Sequence, residues 1–105
     1  MVKINWTDFA IENLNDIGNY IEKDSVRYAE IVVNSLFEAV DILKQHPLLG
    51  RTVPEFNDKN IRELVRGSYR IVYRVVNENR IDIITIHHSA RLFGDLLSNL
   101  IRGES

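Results

Sequence analysis

The chain has 105 residues, with 45% hydrophobic and 27% charged side chains, two prolines, five glycines and no cysteine. This length and composition predict one globular domain over residues 1–105 and exclude a disulfide scaffold, thiolate metal sites and low-complexity chains. No apolar run is long enough to cross a membrane, and the polar N-terminus differs from a signal peptide. We therefore expect a cytoplasmic protein without a membrane partner.

The net charge of −2 conceals an asymmetry along the chain. Residues 1–50 carry a net charge of −4, whereas residues 51–91 carry +3, and all but one of their basic residues are arginines. The basic segment suits an anionic partner or an acidic chain. The acidic total argues against tight nucleic-acid binding, so we expect no sequence-specific DNA binding by this chain alone.

The first two predicted elements are a strand and a helix. Residues 2–6 alternate apolar and polar side chains, as a half-buried strand does. Thr7 suits a helix N-cap, and apolar residues at spacings of three and four then predict a helix over about 8–23. Because a lone strand cannot satisfy its backbone groups, the first strand must join the later strands in one sheet.

A second helix follows after a very short connection. Asp24 and Ser25 interrupt the first pattern and offer a new cap, and a second apolar stripe predicts a helix over about 26–45 that Pro47 ends. A connection of two or three residues predicts that the two helices pack as an antiparallel hairpin.

The rest of the chain changes to a strand-like period. Residues 46–60 hold both prolines and are interpreted as an ordered loop. Period-two patterns then predict strands over 61–66, 69–76 and 81–88, with Gly67 and Ser68 as a two-residue hairpin loop.

A final apolar stripe predicts a helix over about 91–102. The element order is β-α-α-β-β-β-α. It predicts an α+β fold in which the helical hairpin packs on a small, mostly antiparallel four-stranded sheet. The opposite face of that sheet is then expected to carry the strand arginines.

Motifs for metals and cofactors are absent from the sequence. The glycines are isolated, no histidine pair has the spacing of a zinc motif, and no carboxylates cluster, so we expect neither metal nor cofactor. His87 and His88 are adjacent on a predicted strand, which points their rings to opposite faces.

Arginines are the main chemical signal. The strand pattern suggests one patch of five guanidinium groups with a histidine beside it. Its members are Arg62, Arg66, Arg70, Arg74 and Arg91, with His87 or His88. Guanidinium groups bind phosphate or carboxylate bidentately, which favours a partner site. The alternative is a solvated sheet face on which Glu63, Glu78 and Asp82 pair with some of the arginines.

The segment IRELVRGSYRIVYRVVNENRIDIITIHHSARL resembles the RelE/ParE superfamily of bacterial toxins from type II toxin–antitoxin systems. The resemblance covers nearly the whole chain, because the Trp-Thr helix start, the helical hairpin, the HPLLG loop, the YRIVYRV hairpin and the HHSAR strand end occur in family order. It implies the β-α-α-β-β-β-α fold already inferred.

One branch of this superfamily, RelE-like, consists of ribosome-dependent endoribonucleases that cut mRNA. The resemblance would then make Arg70 and Arg91 catalytic phosphate-binding residues, with His88 or His87 assisting proton transfer. The lysines of that branch are absent, since the strand reads IRELVR, and the position of its C-terminal tyrosine falls on Leu97.

The other branch, ParE-like, poisons DNA gyrase through a protein contact. The missing lysines, the missing tyrosine and the acidic balance favour this branch, so gyrase is the expected target and the chain need not be an enzyme. The alternatives are an mRNA endoribonuclease acting with the ribosome, and an inactive remnant that only binds its antitoxin.

The resemblance also implies a cognate antitoxin as partner. A sheet face that mixes cationic and apolar side chains suits an acidic, amphipathic peptide that folds on binding. We expect the antitoxin or the target to contact Arg62, Leu64, Arg66 and Arg74, with Leu48, Leu49 and Phe56 as apolar anchors in the long loop.

Overall fold

The computed structural model describes residues 1–89, which form two helices on one side of a five-stranded sheet. The helices are α1 (Asp8–Glu22) and α2 (Val26–Ala39). The strands are β1 (Lys3–Trp6), β2 (Arg51–Thr52), β3 (Ile61–Arg66), β4 (Tyr69–Asn77) and β5 (Arg80–His88). The predicted helix over 91–102 lies outside the described residues.

Both helix starts use the predicted caps. The Thr7 hydroxyl accepts a hydrogen bond from the Ala10 N–H at 3.2 Å, and the Ser25 hydroxyl accepts one from the Tyr28 N–H at 3.0 Å. These bonds satisfy N–H groups that have no partner within the first helical turn. The second helix is shorter than predicted, because the chain tightens into a 3₁₀ turn over Val40–Lys44 before Pro47 is reached.

The sheet has the strand order β1-β5-β4-β3-β2, and β1 joins it in parallel with β5. The prediction of four strands was one short, because the loop after α2 contributes the two-residue strand β2, antiparallel to β3. Gly67 has φ +59° in the two-residue turn between β3 and β4, the conformation for which glycine suits this hairpin.

The main core lies between the helices and one face of the sheet. Ala10, Leu14 and Leu36 from the helices join Ile71 and Ile83 from the strands in one buried cluster. A second, smaller cluster lies on the other face. There Val53, Ile61 and Val72 are buried, with Phe56 and Ile84 packed against them. The loop before β3 therefore folds over part of the face that the helices leave open.

No helix in residues 1–89 is both long and apolar enough to span a membrane.

Candidate functional site

The strand register divides the predicted arginine patch between two faces. Cross-strand partners lie on the same face of a sheet. Arg62 is opposite the buried Tyr73 and Arg66 is opposite Tyr69, on the side of the helices. Arg70 is opposite Val65 and lies on the other side, the open face, as does Arg74 opposite Ile61.

The prediction of a single arginine patch on the face opposite the helices was therefore wrong. Leu64 lies on the same face as Arg62 and Arg66, since it is opposite Ile71 and packs against the main core. The error has a physical cause. Alternation within one strand gives the relative faces of its own residues, whereas the faces of two strands are matched only by their register. Arg91 lies outside the described residues.

Arg62 holds the loop after α2 in place. Its Nη1 donates to the carbonyl oxygens of Leu48 at 3.1 Å and Gly50 at 2.9 Å, and its Nε donates to that of Lys59 at 2.9 Å. Three carbonyls from two ends of one loop thus converge on one guanidinium.

Tyr73 also forms hydrogen bonds to this loop. Its buried hydroxyl donates to the Pro47 carbonyl and accepts from the Gly50 N–H, both at 2.8 Å. Burial raises the pKa of Tyr73, while the hydrogen bond from Gly50 and the charge of Arg62 oppose that shift. A Cβ on residue 50 would lie 2.6 Å from this hydroxyl and 2.7 Å from the Glu63 carbonyl oxygen, so the loop requires glycine there.

The loop held in this way exposes two adjacent leucines. Leu48 is 58% and Leu49 is 55% exposed, although the backbone around them is hydrogen bonded to Arg62 and Tyr73. A fixed backbone that carries apolar side chains into solvent is suited to contact with another protein. Phe56 differs from them, since it packs against the small cluster of the open face.

A groove of about 560 Å³ lies between the helical hairpin and the β3–β4 turn. Tyr28, Ile31, Arg66, Tyr69 and His88 contribute to its walls. Tyr28 and Ile31 are more than half exposed, and the Tyr69 ring meets the His88 ring edge-on at 5.4 Å between centroids. Burial raises the pKa of Tyr69, and the nearby Tyr28 and Tyr20 raise it further. Aromatic, aliphatic and cationic side chains in one groove match the composition of protein-binding hot spots.

The open face carries a different arrangement centred on Glu63. This carboxylate accepts from Arg51 Nε at 2.6 Å and from Arg70 Nη1 at 3.0 and 3.3 Å. The Glu63 side chain is only 2% exposed, against 61% for Arg51 and 28% for Arg70. His87, the cross-strand partner of Arg70, is also buried, whereas His88 lies on the opposite face and is exposed.

A second charged set lies at the other end of the open face. Asp82 accepts from Arg80 Nε at 2.8 Å and from Asn5 Nδ2 at 3.0 Å, and it is opposite Arg74 in the strand register. Burial alone would raise the pKa of Asp82, but the bonds from Arg80 and Asn5 and the charges of Arg80 and Arg74 leave it lowered. The alternative interpretation, in which acidic side chains pair with some of the arginines, therefore applies to Glu63 and Asp82.

The sequence analysis did not identify Arg51, Tyr73 or Gly50 as candidate site residues. The signals available were weak, namely an arginine after a glycine in the loop and a tyrosine in an apolar strand. The described residues, 1–89, contain no group of three or more histidine, aspartate or glutamate side chains that could hold a metal ion.

Comparison with known proteins agrees with this fold. Residues 4–93 match the family model described as the ParE toxin of the type II toxin–antitoxin system parDE. The chain belongs to the ParE toxin family. Y4kP of Sinorhizobium fredii, a protein named as a toxin, is 36% identical over 97 residues, which are 90% of this chain and 96% of that protein. Toxin RelE2 of Caulobacter vibrioides is 30% identical over 92 residues, covering 88% of this chain and all of that protein.

Two solved structures have a similar fold. A chain of the chromosomal ParDE TA system from P. aeruginosa matches with a TM-score of 0.68 and 25% identity, over 84% of this chain and 96% of that one. The toxin–antitoxin complex RelBE2 from Mycobacterium tuberculosis matches with a TM-score of 0.53 and 23% identity, over 83% and 96%, and supports the fold alone. This ParE-family chain is thus a toxin of a type II toxin–antitoxin system.

Proposed function

We propose that this toxin acts on DNA gyrase by protein contact and does not cut mRNA. The observation that carries the proposal is the buried Glu63 carboxylate, 3.0 Å from the guanidinium of Arg70. Arg70 is the arginine that a RelE-like ribonuclease would use on the scissile phosphate. A carboxylate fixed against it adds repulsion where a ribonuclease needs net positive charge.

The other strand arginines support the same choice. Arg62 donates to three loop carbonyls, and Arg66 lies on the opposite face of the sheet from Arg70. The guanidinium groups of Arg62 and Arg66 therefore do not join that of Arg70 at one phosphate. A surface poison needs no such convergence, and it would act in the cytoplasm, where gyrase acts.

The test is expression without an antitoxin in bacteria, with two readouts on the same culture. We expect growth arrest with gyrase-linked DNA breaks and intact mRNA, and the purified protein should stabilise breaks when mixed with gyrase and plasmid DNA. Ribosome-dependent mRNA cleavage by the purified protein would contradict the proposal and support the endoribonuclease alternative. Normal growth with verified soluble protein would support an inactive antitoxin-binding remnant.

Substitution of Arg70 gives a second discrimination. In a ribonuclease, loss of a phosphate contact costs on the order of 10²–10³ in rate, so Arg70→Ala and Arg91→Ala would abolish toxicity. In the proposed mechanism, variants that remain folded keep most of their toxicity. Circular dichroism and thermal melting must accompany the growth assay, because Arg70→Ala also removes an ion-pair partner of Glu63.

We also propose that a cognate antitoxin neutralises the toxin at the groove and at the loop that exposes Leu48 and Leu49, called the leucine loop below. The relatives with solved structures come from named toxin–antitoxin systems. Arg66 is exposed at the groove, and it forms no salt bridge with any of residues 1–89, so it suits an acidic side chain of the partner. Four residues along β3, roughly 13 Å away, Arg62 holds Leu48 and Leu49.

Co-expression with the small reading frame next to the toxin tests this partnership. We expect the two products to purify together and growth to be restored. Charge reversal of Arg66 to Glu should weaken the complex, whereas Arg74→Glu, on the open face, should weaken it less. Equal effects of the two reversals would place the antitoxin on both faces and contradict the proposed surface.

A further inference from the structure

We propose that Glu63 is a specificity-determining residue that excludes nucleic-acid phosphates from the arginine pair on the open face. The inference rests on the proposed protein-directed toxicity and names the residue that keeps RNA out. Arg51 and Arg70 approach one point from strands β2 and β4, and both donate to the carboxylate between them. Without that carboxylate, two guanidinium groups would face a common anion position.

The chemistry of that position matches a phosphodiester. Arginine binds phosphate through paired N–H donors in the same way as it binds carboxylate, so an RNA phosphate and Glu63 compete for the same donors. The Arg51 side chain is 61% exposed and that of Arg70 is 28% exposed, so both reach the surface of the protein. His87, the cross-strand partner of Arg70, borders the same place.

Glu63 wins this competition because it is part of the strand. Its side chain is 2% exposed, so salt screens its charge poorly. Because it belongs to the same chain as the arginines, its binding to them does not lose the translational and rotational entropy that a separate phosphate would lose. A phosphate arriving from solvent would find the N–H donors of Arg51 and Arg70 already bonded to Glu63, and it would be repelled by the fixed negative charge. Selective proteins commonly reject an unwanted partner by such a like-charge contact.

The test is the isosteric replacement Glu63→Gln, with binding to a fluorescent single-stranded RNA measured by anisotropy. We expect the wild type to bind weakly and E63Q to bind about tenfold more tightly or better. The matched controls are Glu55→Gln and Glu78→Gln, which make the same change in net charge at exposed positions. If E63Q binds RNA no better than these controls, the proposal is wrong.

A second set of variants assigns any gain to the arginines. Arg70→Gln added to E63Q should remove the gain, and inorganic phosphate should raise the melting temperature of E63Q more than that of the wild type. If E63Q does not fold, the charge-balanced variant R51Q/E63Q is compared with R51Q, and the proposal requires the double variant to bind RNA more tightly. Equal affinities of these two would overturn it.

The gyrase assay on the wild type is scored separately. In one outcome, E63Q binds RNA more tightly than the controls, and the wild type neither binds RNA nor affects gyrase. That outcome would contradict only the proposed target. Gyrase poisoning by the wild type without any RNA gain in E63Q would contradict only the role of Glu63. Wild-type protein that already binds and cuts mRNA would contradict both.

Discussion

The two faces of the sheet differ in the interactions that stabilise them. The face toward the helices is a continuous apolar contact, in which Ile71, Ile81 and Ile83 are fully buried with Leu14 and Leu36. The open face has a three-residue buried cluster, covered by a loop, and ion pairs around Glu63 and Asp82. Burial of apolar area supplies most folding free energy, so the helix face contributes most of the stability, whereas the open face is held in part by ion pairs.

The largest expected effect comes from the helix face. Ile83→Ala should destabilise the protein by about 2–5 kcal/mol, because it leaves a cavity where the side chain is fully buried. The open-face variant Val53→Ala removes fewer atoms from a smaller cluster and should cost less. Val65→Ala, at a half-exposed position, should change stability by less than about 0.5 kcal/mol. Urea unfolding measures all three, and a larger effect at Val53 would reverse the comparison.

The loop anchor under Tyr73 should come next. Tyr73→Phe removes a hydroxyl that accepts from Gly50 and donates to Pro47, leaving a buried N–H unsatisfied, and should cost about 1–3 kcal/mol. Tyr28→Phe removes an exposed hydroxyl and is the control, with little expected change. The free energy of unfolding from denaturant titration gives the values. Equal stability of the two variants would mean that the loop is not held by this hydroxyl.

The leucine loop should affect antitoxin binding more than stability. Replacing Leu48 and Leu49 by serine should weaken the toxin–antitoxin complex by about tenfold, since exposed apolar anchors are lost at an interface. Calorimetry or surface plasmon resonance measures the change. The control replaces Val26 and Val65 by serine, because these apolar residues are similarly exposed but lie elsewhere on the protein.

Arg62 should act on that affinity only through the leucines. Arg62→Ala releases the Leu48 carbonyl and should weaken antitoxin binding in the wild type but have little further effect once both leucines are serine. A double-mutant cycle on affinity gives this coupling, and melting temperatures report separately on folding. Additive losses would show that Arg62 touches the partner directly.

The smallest effect is a pH dependence from the open face. The pKa of Asp82 is lowered in the folded state, so its contribution to stability is present above the unfolded value of about 3.9 and is lost as the pH falls through the folded value. Asp82→Asn should flatten this acid-side loss by less than about 1 kcal/mol, because the pair with Arg80 is near the surface. Thermal melts across the acid range test it, and an unchanged acid profile in D82N would assign the loss elsewhere.

Several local features could be predicted from the sequence. Thr7 and Ser25 cap their helices, and Gly67 takes positive φ in the hairpin turn, because these choices depend on a few neighbouring atoms. The adjacency of His87 and His88 correctly placed them on opposite faces. Local patterns do not show where a helix ends when apolar residues continue beyond it. The helix α2 ends at Ala39, six residues before the predicted end.

The sequence by itself determined the order of the two helices and of strands β1, β3, β4 and β5, the sheet hairpins and the family resemblance, since these follow from periodicity and from turn residues close in the chain. Only the tertiary structure decided which arginines share a face. Register brought Arg51 and Arg70 onto Glu63 and sent Arg62 to the loop carbonyls of Leu48 and Gly50. Ion pairs and loop anchors join residues that are distant in sequence, and their free energy depends on positions that no local pattern encodes.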